Sequence, residues 1–508
     1  MAERIYNRED LKIKFKENEN LYGVFEDIFR DYGEKTAIKY MVGNEVVNVP
    51  STVFFEDIKR TASELVRMGF YRRHMGIIGK NTYEWLVICY AAMYAGCIAV
   101  PLSQDLRSEE IEELCNQVDV EAVFYDEDLT DTVRTFSERS GKRIFEMKAF
   151  MSGAYVSDRV TDDGTINNRT TREDTIYILF TSGTTGKSKG VVLKNSSFIE
   201  NFRCLINRNA DILLILPFHH IAGISVACGL LGDAAELHIG QDPKQIIRYL
   251  SSMESTVVFV VPALLSLITT RLRKVGYDQR KLGWKLKMLS CGAASFPAGV
   301  ITEIHSAGIE IEQYYGATES TGGFITGMMT EDNPYMIGNL VVPSMEAKIM
   351  DGELVVKGPR VFKGYYNDKE ATDEVLIDGW YHTGDLARVD SHGAWYLTGR
   401  KKNLIILSNG ENISPEEIEH KLSACHDIDE VVVYGEGEFL NAEIFPLYEL
   451  DADEAQKEET KQRIRDFVDS YNMDCALYKR VPFIKFRSTP FKKNASGKIL
   501  RSTVGNRV

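Results

Sequence analysis

The residues from Tyr177 to Leu193, YILFTSGTTGKSKGVVL, combine small and cationic side chains at a spacing suited to an anion. Glycines let backbone N–H groups converge on a phosphate and lysines add positive charge, here Gly183, Gly186, Gly190, Lys187 and Lys189. Because β-branched residues follow the loop, it differs from a Walker loop, which opens a helix. The pattern predicts a phosphate-binding turn between two strands. A flexible hairpin tip is the alternative.

Three later motifs carry groups that suit a nucleotide. Glu319 ends Tyr-Gly-Ala-Thr-Glu, Asp385 ends Tyr-His-Thr-Gly-Asp, and Lys498 lies in Ala-Ser-Gly-Lys-Ile-Leu-Arg. Carboxylates bind hard cations or accept paired hydrogen bonds, and an ammonium stabilises negative charge at phosphorus. Each signal alone is weak, and Glu319 by itself can be a solvated acid on a turn. Their joint occurrence indicates a nucleotide site.

In this order the motifs resemble those of the adenylate-forming superfamily, which contains acyl-CoA synthetases, peptide-synthetase adenylation domains and luciferases. The chain is most similar to AMP-forming acyl-CoA synthetases. The resemblance implies that the β- and γ-phosphates of ATP are held by the signature loop, through Thr181, Ser182, Gly183, Thr184, Thr185, Gly186 and Lys187.

The same resemblance implies roles on the adenine side. Tyr315 and Gly316 would lie beside the base, Thr318 would touch the α-phosphate, and Glu319 would bind Mg²⁺. The strand end Cys291–Ala294 matches a segment whose small residues let the base lie against the backbone, namely Gly292, Ala293 and Ala294.

The residues matched to ribose binding and to adenylate transfer follow farther along the chain. Asp385 matches the residue that accepts hydrogen bonds from both ribose hydroxyls, and Arg400 matches a second ribose or phosphate contact. Lys498 aligns with the catalytic lysine of the superfamily. The usual Pro-Lys-Thr ahead of that lysine is Lys492-Lys493-Asn494 here, so the path of this loop departs from the pattern.

The resemblance also implies a moving tail. Lys402 occupies the hinge position, about which the tail would first deliver Lys498 and then present Gly410 to a channel for the pantetheine arm of CoA. A glycine at that position permits close approach. An ordinary Asn-Gly turn that needs a positive φ explains Gly410 equally well.

The acid side carries a different signature. Amino-acid-activating relatives have an Asp in the motif equivalent to Phe218–Gly223, whereas this chain has His219-His220. We therefore expect an acid without an α-amine, with His220 as a gate or carboxylate neighbour, although a lone His is more often structural. Gly322 and Gly323 favour a long or broad acyl group unless other side chains fill the space beside them.

Alternating apolar segments must position these residues. Amphipathic helices over Leu21–Tyr32 and Phe54–Met68, and a helix start at Asn81, alternate with short apolar strands. This pattern predicts an α/β fold with parallel strands. Strands over Ile212–Pro217, Lys287–Cys291 and Ile309–Tyr315 end in small or functional residues, which in open sheets is where ligands bind.

From Gly338 onward short β segments predict a small antiparallel or barrel-like subdomain. The fold class is thus α/β, with a large N-terminal domain of α/β subdomains plus that β-barrel-like subdomain, followed by a mobile α+β C-terminal domain. We place the two domains at residues 1–399 and 400–508. In the tail, Ser414–Glu417 predicts a helix capping box with Pro at the first helical position.

Composition excludes several classes of protein. The formal charge of the 508 residues is −14 without a dense basic run, which argues against nucleic-acid binding. The 8 cysteines are scattered without metal-ligand spacing, and the charged N-terminus is unlike a signal peptide, so we expect a cytoplasmic protein. Trp85–Ser103 is nearly long enough to span a membrane, but a buried helix followed by a buried strand is the favoured interpretation.

We therefore expect an ATP-dependent acid:CoA ligase that uses ATP, Mg²⁺ and CoA, with a medium- or long-chain fatty acid as substrate and no integral membrane segment. A free-standing adenylating enzyme that loads a carrier protein is one rival. A nucleotide-binding regulatory protein that has lost the chemistry is another.

Overall fold

The computed structural model describes residues 17–155, 166, 168–182, 188–203, 210–292, 298–333, 336–406, 411–448, 453–493 and 499–504. The strands in these residues, in chain order, are β1 Thr36–Val42, β2 Glu45–Pro50, β3 His74–Ile78, β4 Ile98–Leu102, β5 Ala122–Tyr125, β6 Arg143–Glu146, β7 Thr175–Ser182, β8 Ser188–Lys194, β9 Asp211–Leu214, β10 Glu236–Ile239, β11 Val257–Val260, β12 Met288–Gly292, β13 Glu310–Ala317, β14 Gly322–Met328, β15 Met336–Leu340, β16 Glu346–Met350, β17 Glu353–Lys357, β18 Gly364–Tyr365, β19 Leu376–Ile377, β20 Trp380–Val389, β21 Trp395–Arg400, β22 Ile405–Ile406, β23 Asn412–Ile413, β24 Ile428–Glu436, β25 Phe439–Pro446 and β26 Phe483–Phe486.

The α-helices in the same residues are α1 Leu21–Asp31, α2 Ser51–Arg67, α3 Tyr83–Ala95, α4 Ser108–Gln117, α5 Thr130–Ser140, α6 Met147–Met151, α7 Asn195–Phe202, α8 Ile221–Gly232, α9 Ile246–Met253, α10 Pro262–Lys274, α11 Ala298–Ser306, α12 Lys369–Val375, α13 Pro415–Leu422 and α14 Glu454–Asp474.

The larger sheet combines a parallel block with an antiparallel one. Its order is β16-β17-β20-β21-β15-β14-β13-β12-β11-β9-β10-β1-β2, with β19 beside β20. Strands β1, β10, β9, β11, β12 and β13 run parallel, as the apolar runs predicted. From β14 to β16 the pairing is antiparallel, and these strands form the predicted small β subdomain.

The second sheet has the order β18-β8-β7-β4-β3-β5-β6. Its strands from β7 to β6 are parallel, whereas β8 and β18 are antiparallel to their neighbours. In the tail, β24, β25 and β26 form a separate sheet against which α13 and α14 pack. The predicted α/β fold class is therefore confirmed.

Helix α3 and strand β4 account for the long apolar segment Trp85–Ser103. The Thr82 hydroxyl accepts a hydrogen bond from the Trp85 N–H at 3.1 Å, and Gly96 at φ +74 ends the helix. Every α3 residue from Trp85 to Ala95 is buried, because the helix lies in a core shared by both sheets. The buried helix and strand are thus confirmed, and none of the described helices is long and apolar enough to cross a membrane.

Two predicted helix starts were wrong in detail. Thr82 caps α3, whereas Asn81 is buried and bonds elsewhere: it donates to the Leu216 and Gly240 carbonyls and accepts from the Phe218 N–H. Helix α13 begins at Pro415 as predicted, but no capping box forms. Its Ser414 hydroxyl donates to the Glu416 carboxylate instead of accepting from the helix backbone.

Candidate active site

The signature loop joins two antiparallel strands, as its sequence predicted. Thr181 pairs with Lys189 and Ser182 with Ser188 at the ends of β7 and β8. The predicted phosphate ligands Gly183, Thr184, Thr185, Gly186 and Lys187 lie outside the described residues. At the base of the loop, the Lys189 ammonium lies 4.9 Å from the centre of the Tyr365 ring.

That ring connects the loop to Glu319. The Tyr365 hydroxyl donates to Glu319 Oε1 at 2.9 Å, and burial together with this carboxylate raises the pKa of Tyr365. The other carboxylate oxygen of Glu319 has no such partner in the described part of the chain. Hard cations such as Mg²⁺ prefer carboxylate oxygens, so this oxygen has the chemistry of a metal ligand.

Glu319 lies on a tightly braced turn that follows β13. Residues Thr318–Ser320 form a single helical turn, and the next residue, Thr321, has φ 54. The Phe362 N–H donates to the Glu319 carbonyl at 2.8 Å. Arg360, which is 1% exposed, donates to the Thr321 carbonyl at 2.5 Å. Sequence reasoning missed Arg360 because its partner lies 39 residues away in the chain.

Asp385 and Arg400 meet on adjacent antiparallel strands. Arg400 Nε lies 2.6 Å from Asp385 Oδ1, and the Tyr315 hydroxyl donates to Asp385 Oδ2 at 2.7 Å. Arg400 Nη2 also donates to Asp385 Oδ2 at 3.5 Å. A carboxylate offers about four acceptor positions, so about one remains for a further hydroxyl donor. The structure therefore brings Asp385 and Arg400 together, with Tyr315 as an additional partner. Burial and the Asp385 carboxylate raise the pKa of the Tyr315 phenol.

The space beside three predicted glycines is filled by side chains of the protein. A Cβ at Gly292 would lie 2.9 Å from ring atoms of Tyr314, and a Cβ at Gly323 would lie 2.9 Å from the same ring. At Gly322, with φ +92, a Cβ would lie 2.6 Å from the Ser225 hydroxyl. The sequence predicted that Gly322 and Gly323 leave room for a long or broad acyl group, but Ser225 and Tyr314 fill the space beside these two glycines, as the backfilled alternative anticipated. Ala293 and Ala294 lie outside the described residues.

Gly316 has a packing reason for its size. A Cβ there would lie 2.0 Å from the Gly322 carbonyl oxygen, because β13 and β14 approach closely at a register shift. Close packing of β13 against β14 therefore requires a glycine at position 316, whether or not the residue also contacts the adenine base.

His219 and His220 precede α8 and face each other, with ring centres 4.3 Å apart. Burial lowers the pKa of both imidazoles, for His219 to about 3 with the His220 ring contributing. His220 nevertheless keeps solvent contact. Both rings are therefore neutral at neutral pH. Asn81, through its bond to the Phe218 N–H, holds the segment that leads into them.

The predicted hinge is a short helical turn at Lys401–Asn403. Lys402 is exposed, and partial burial of its ammonium together with Arg400 lowers its pKa. A cavity of about 280 Å³ beside it is lined by Lys402, Tyr434 and Arg501 among others, on the tail side of the Asp385–Arg400 pair. Gly410 and Lys498 lie outside the described residues.

Residues on either side of the hinge connect it to the end of the chain. The Asn403 amide donates to Glu416 Oε1 at 2.6 Å, and Arg501 Nη2 lies 3.4 Å from the same oxygen. Arg501 follows Lys498 by three residues in the sequence. Arg501 therefore lies close to the proposed hinge.

One polar cluster in the described residues has the composition of a metal site. Ligand atoms of Asp211, Glu236 and His238 lie within 4.8 Å of one another. However, His238 Nδ1 is bonded to the Ser255 hydroxyl and Nε2 to Glu236, so neither nitrogen is left for a metal. Lys39 neutralises Glu236 at 2.6 Å. We interpret the cluster as a satisfied ion-pair network.

Comparison with known proteins places this geometry in a family. The AMP-binding enzyme family matches residues 25–366, and the AMP-binding enzyme C-terminal domain matches residues 402–507. The chain belongs to the AMP-binding enzyme family. The predicted membership of the adenylate-forming superfamily is thereby confirmed, as is the prediction of an AMP-forming acid:CoA ligase.

Relatives cover most of the chain. An indoleacetate–CoA ligase from Aromatoleum aromaticum is 29% identical over 430 residues, 77% of this chain and 82% of its own. A long-chain-fatty-acid–CoA ligase from Mycobacterium bovis is 24% identical over 490 residues, 83% of this chain and 80% of its own. The structure of O-succinylbenzoate coenzyme A synthetase from Bacillus subtilis with ATP and magnesium has a TM-score of 0.74 at 22% identity, covering 94% and 98% of the two chains, and supports the fold.

Proposed function

We propose that this enzyme joins a carboxylic acid to CoA in two steps. The acid's carboxylate oxygen attacks the α-phosphorus of ATP, the bond to the β-phosphate oxygen breaks, and an acyl-adenylate and pyrophosphate result. The CoA thiol then attacks the acyl carbon, the bond to AMP breaks, and the thiol proton passes to solvent. The mixed anhydride supplies a good leaving group, so a covalent enzyme intermediate is unnecessary.

Two groups of contacts, both next to the end of β13, carry this proposal. Arg400 and Tyr315 hold Asp385, while Tyr365 connects Glu319 to Lys189 at the base of the signature loop. Tyr315 lies near the end of β13, and Glu319 lies on the turn that follows this strand. Groups proposed for ribose, metal and phosphate binding thus adjoin one strand end, where parallel sheets bind ligands.

In this proposal each part of ATP has its own contacts. The loop from Thr181 to Lys187 holds the β- and γ-phosphates, Thr318 touches the α-phosphate, and Asp385 with Arg400 binds the ribose. Tyr315, Gly316 and the segment 292–294 flank the base. Mg²⁺ held by Glu319 supplies positive charge that neutralises the departing pyrophosphate.

The tail supplies the remaining groups. We propose domains at residues 1–399 and 400–508 that rotate about Lys402. Lys498 stabilises the charge that develops as the acid attacks, and Gly410 later lines the channel for the pantetheine arm. His220, neutral at working pH, contacts the acid without attracting its charge strongly.

The acid is the finer part of the proposal. The sequence favoured a medium- or long-chain fatty acid, and one relative is named for long-chain fatty acids. Other relatives are named for indoleacetate, ferulate and 2-succinylbenzoate. Because Tyr314 and Ser225 fill the room beside the glycines, we propose a compact or aryl acid in place of a long chain. We also keep the proposal of a cytoplasmic location.

Pyrophosphate release tests the proposal directly. Purified enzyme, ATP and Mg²⁺ are incubated with aryl acids and with fatty acids of increasing length, and acyl-adenylates are identified by mass. CoA and a holo-carrier protein are then offered separately as acceptors. We expect adenylates of aryl acids, thioesters with CoA, and loss of adenylate formation in Lys498→Ala. Absence of pyrophosphate with every acid would refute the proposal and favour a silent nucleotide-binding protein.

A further inference from the structure

The residues on both sides of the Lys498 segment are tied together. Lys493 and Ile499 pair as a backbone bridge, and the Leu500 N–H donates to the Lys492 carbonyl at 2.8 Å. Residues 494–498 lie outside the described part of the chain. We call residues 491–493 the entering stem and residues 499–501 the leaving stem.

A buried carboxylate holds the entering stem. Glu430 on β24 is 8% exposed. Its Oε2 accepts a hydrogen bond from the Phe491 N–H at 2.7 Å, and its Oε1 lies 2.5 Å from the Lys493 ammonium. Phe491 itself packs in a small apolar cluster with Val432 and Val504. Both oxygens of Glu430 are therefore used on this one stem.

A second buried carboxylate holds the leaving stem. Glu419 on α13 forms an ion pair with Arg501, and its Oε1 accepts a hydrogen bond from the Val433 N–H at 2.6 Å. Arg501 also donates to the Val433 carbonyl at 3.4 Å. Through Val433 this contact reaches β24, the strand that carries Glu430.

Apolar packing would fix the orientation of a stem less strictly than these charged hydrogen bonds do. Buried charges are costly to desolvate and are tolerated only with well-formed partners, so paired carboxylates select one arrangement of the groups they bind. Here the two carboxylates fix the two stems to the same strand.

We propose that Glu430 and Glu419 are positioning residues for Lys498. Acting through Lys493 and Arg501, they hold both ends of its segment so that the Lys498 ammonium reaches the α-phosphate during adenylate formation. This inference rests on the proposed function, in which Lys498 serves that step. It predicts that weakening either stem harms adenylate formation far more than thioester formation.

The test separates the two steps. Single-turnover pyrophosphate release is measured with ATP and the best acid of the screen, and thioester formation is measured with the synthetic adenylate of that acid and CoA. Glu430→Gln removes the charge on the entering stem, and Lys493→Met removes its partner from the exposed side. Misplacement of a reacting group by about 1 Å costs up to roughly 100-fold, so we expect adenylate formation to fall about 10- to 100-fold. Thioester formation should stay within about twofold of wild type.

Lys479→Met is the matched control. Lys479 pairs at 2.8 Å with Glu417, which lies on the same helix as Glu419 but does not contact either stem. This variant should leave both steps unchanged.

Three outcomes overturn the inference. One is an equal fall in both steps with a lower melting temperature, which indicates a merely structural role. Another is an unchanged adenylate-forming step in both stem variants. The third is the same selective loss in the control. If wild-type enzyme forms no adenylate from any acid, the proposed function fails first and this inference fails with it.

Discussion

Replacing Tyr314 with alanine should widen the range of acids that the enzyme accepts. The ring lies across Gly292 of β12 and Gly323 of β14, with the Phe259 ring 5.8 Å away. Helix α8 packs on β14 at the same place, and its Ser225 adjoins Gly322. Tyr314 is only partly buried, so some of its surface keeps contact with solvent.

The size of the effect follows from the volume removed. A phenol ring occupies roughly the space of four methylene groups, and each buried methylene contributes about 0.8 kcal/mol. The upper limit is therefore about 3 kcal/mol, or roughly a 150-fold change in relative kcat/KM. Partial collapse of the new cavity reduces this gain, so we expect at least about a tenfold shift toward decanoate relative to butanoate.

The assay is pyrophosphate release with butanoate, octanoate, decanoate and a set of aryl acids. Tyr314→Phe is the control, because it keeps the ring and should leave the ratios within about twofold of wild type. Tyr314→Leu repeats the test with a smaller loss of packing if the alanine variant has a low melting temperature. Equal ratios for the alanine and phenylalanine variants, both folded, would refute the idea that this ring limits the acid.

Three further predictions concern other contacts. Asp385→Asn should raise the KM for ATP about tenfold or more, since hydrogen bonds to charged groups contribute about 1.5–3 kcal/mol. The control Asp378→Asn, on an exposed turn, should leave this KM unchanged. ATP–pyrophosphate exchange measures the KM of both variants. His219→Gln should flatten the dependence of melting temperature on pH below about 6.5. Because the pKa of His219 is lowered in the folded state, the unfolded chain binds more protons than the folded one. Wild-type stability therefore falls as the pH drops from the unfolded-state pKa of about 6.5 toward the folded-state pKa of about 3. Melting curves with the same pH dependence in wild type and variant would contradict this prediction. Asn81→Ala should lower the free energy of unfolding by about 2–4 kcal/mol, because it leaves buried backbone groups without hydrogen-bond partners. Denaturant titrations measure this change. A loss under about 0.5 kcal/mol would contradict the prediction and show that water replaces the amide.

Local patterns predicted the parts of this fold that depend on neighbouring residues. Short apolar runs identified β9, β12 and β13, and the strand after the signature loop followed from the β-branched residues at its end. The position of Glu319 on a turn also followed from its own motif. In each case the information lies within about ten residues of chain, which is the range over which periodicity and turn chemistry operate.

Contacts between distant segments were not predictable in this way. Tyr365 bonds to Glu319 across 46 residues, and Asn81 bonds to Phe218 across 137. The neighbours of Gly322 and Gly323 could not be predicted for the same reason. A glycine indicates that something approaches closely, but sequence alone does not say whether that neighbour is a ligand or another side chain. Here the neighbours are Ser225 and Tyr314.

The contacts at the proposed hinge bear on how the tail can move. Lys401 lies 3.1 Å from Glu353 across the proposed domain boundary, and in this pair Lys401 is 61% exposed whereas Glu353 is 4% exposed. The stems of the Lys498 segment are held to the tail by buried carboxylates. Because Lys401 and Arg400 both precede Lys402, a rotation about Lys402 keeps their pairs with Glu353 and Asp385, and it also keeps the contacts within the tail. On this physical ground the tail should move as a unit, so that Lys498 leaves the nucleotide together with β24 and α13 and not through rearrangement of its own loop.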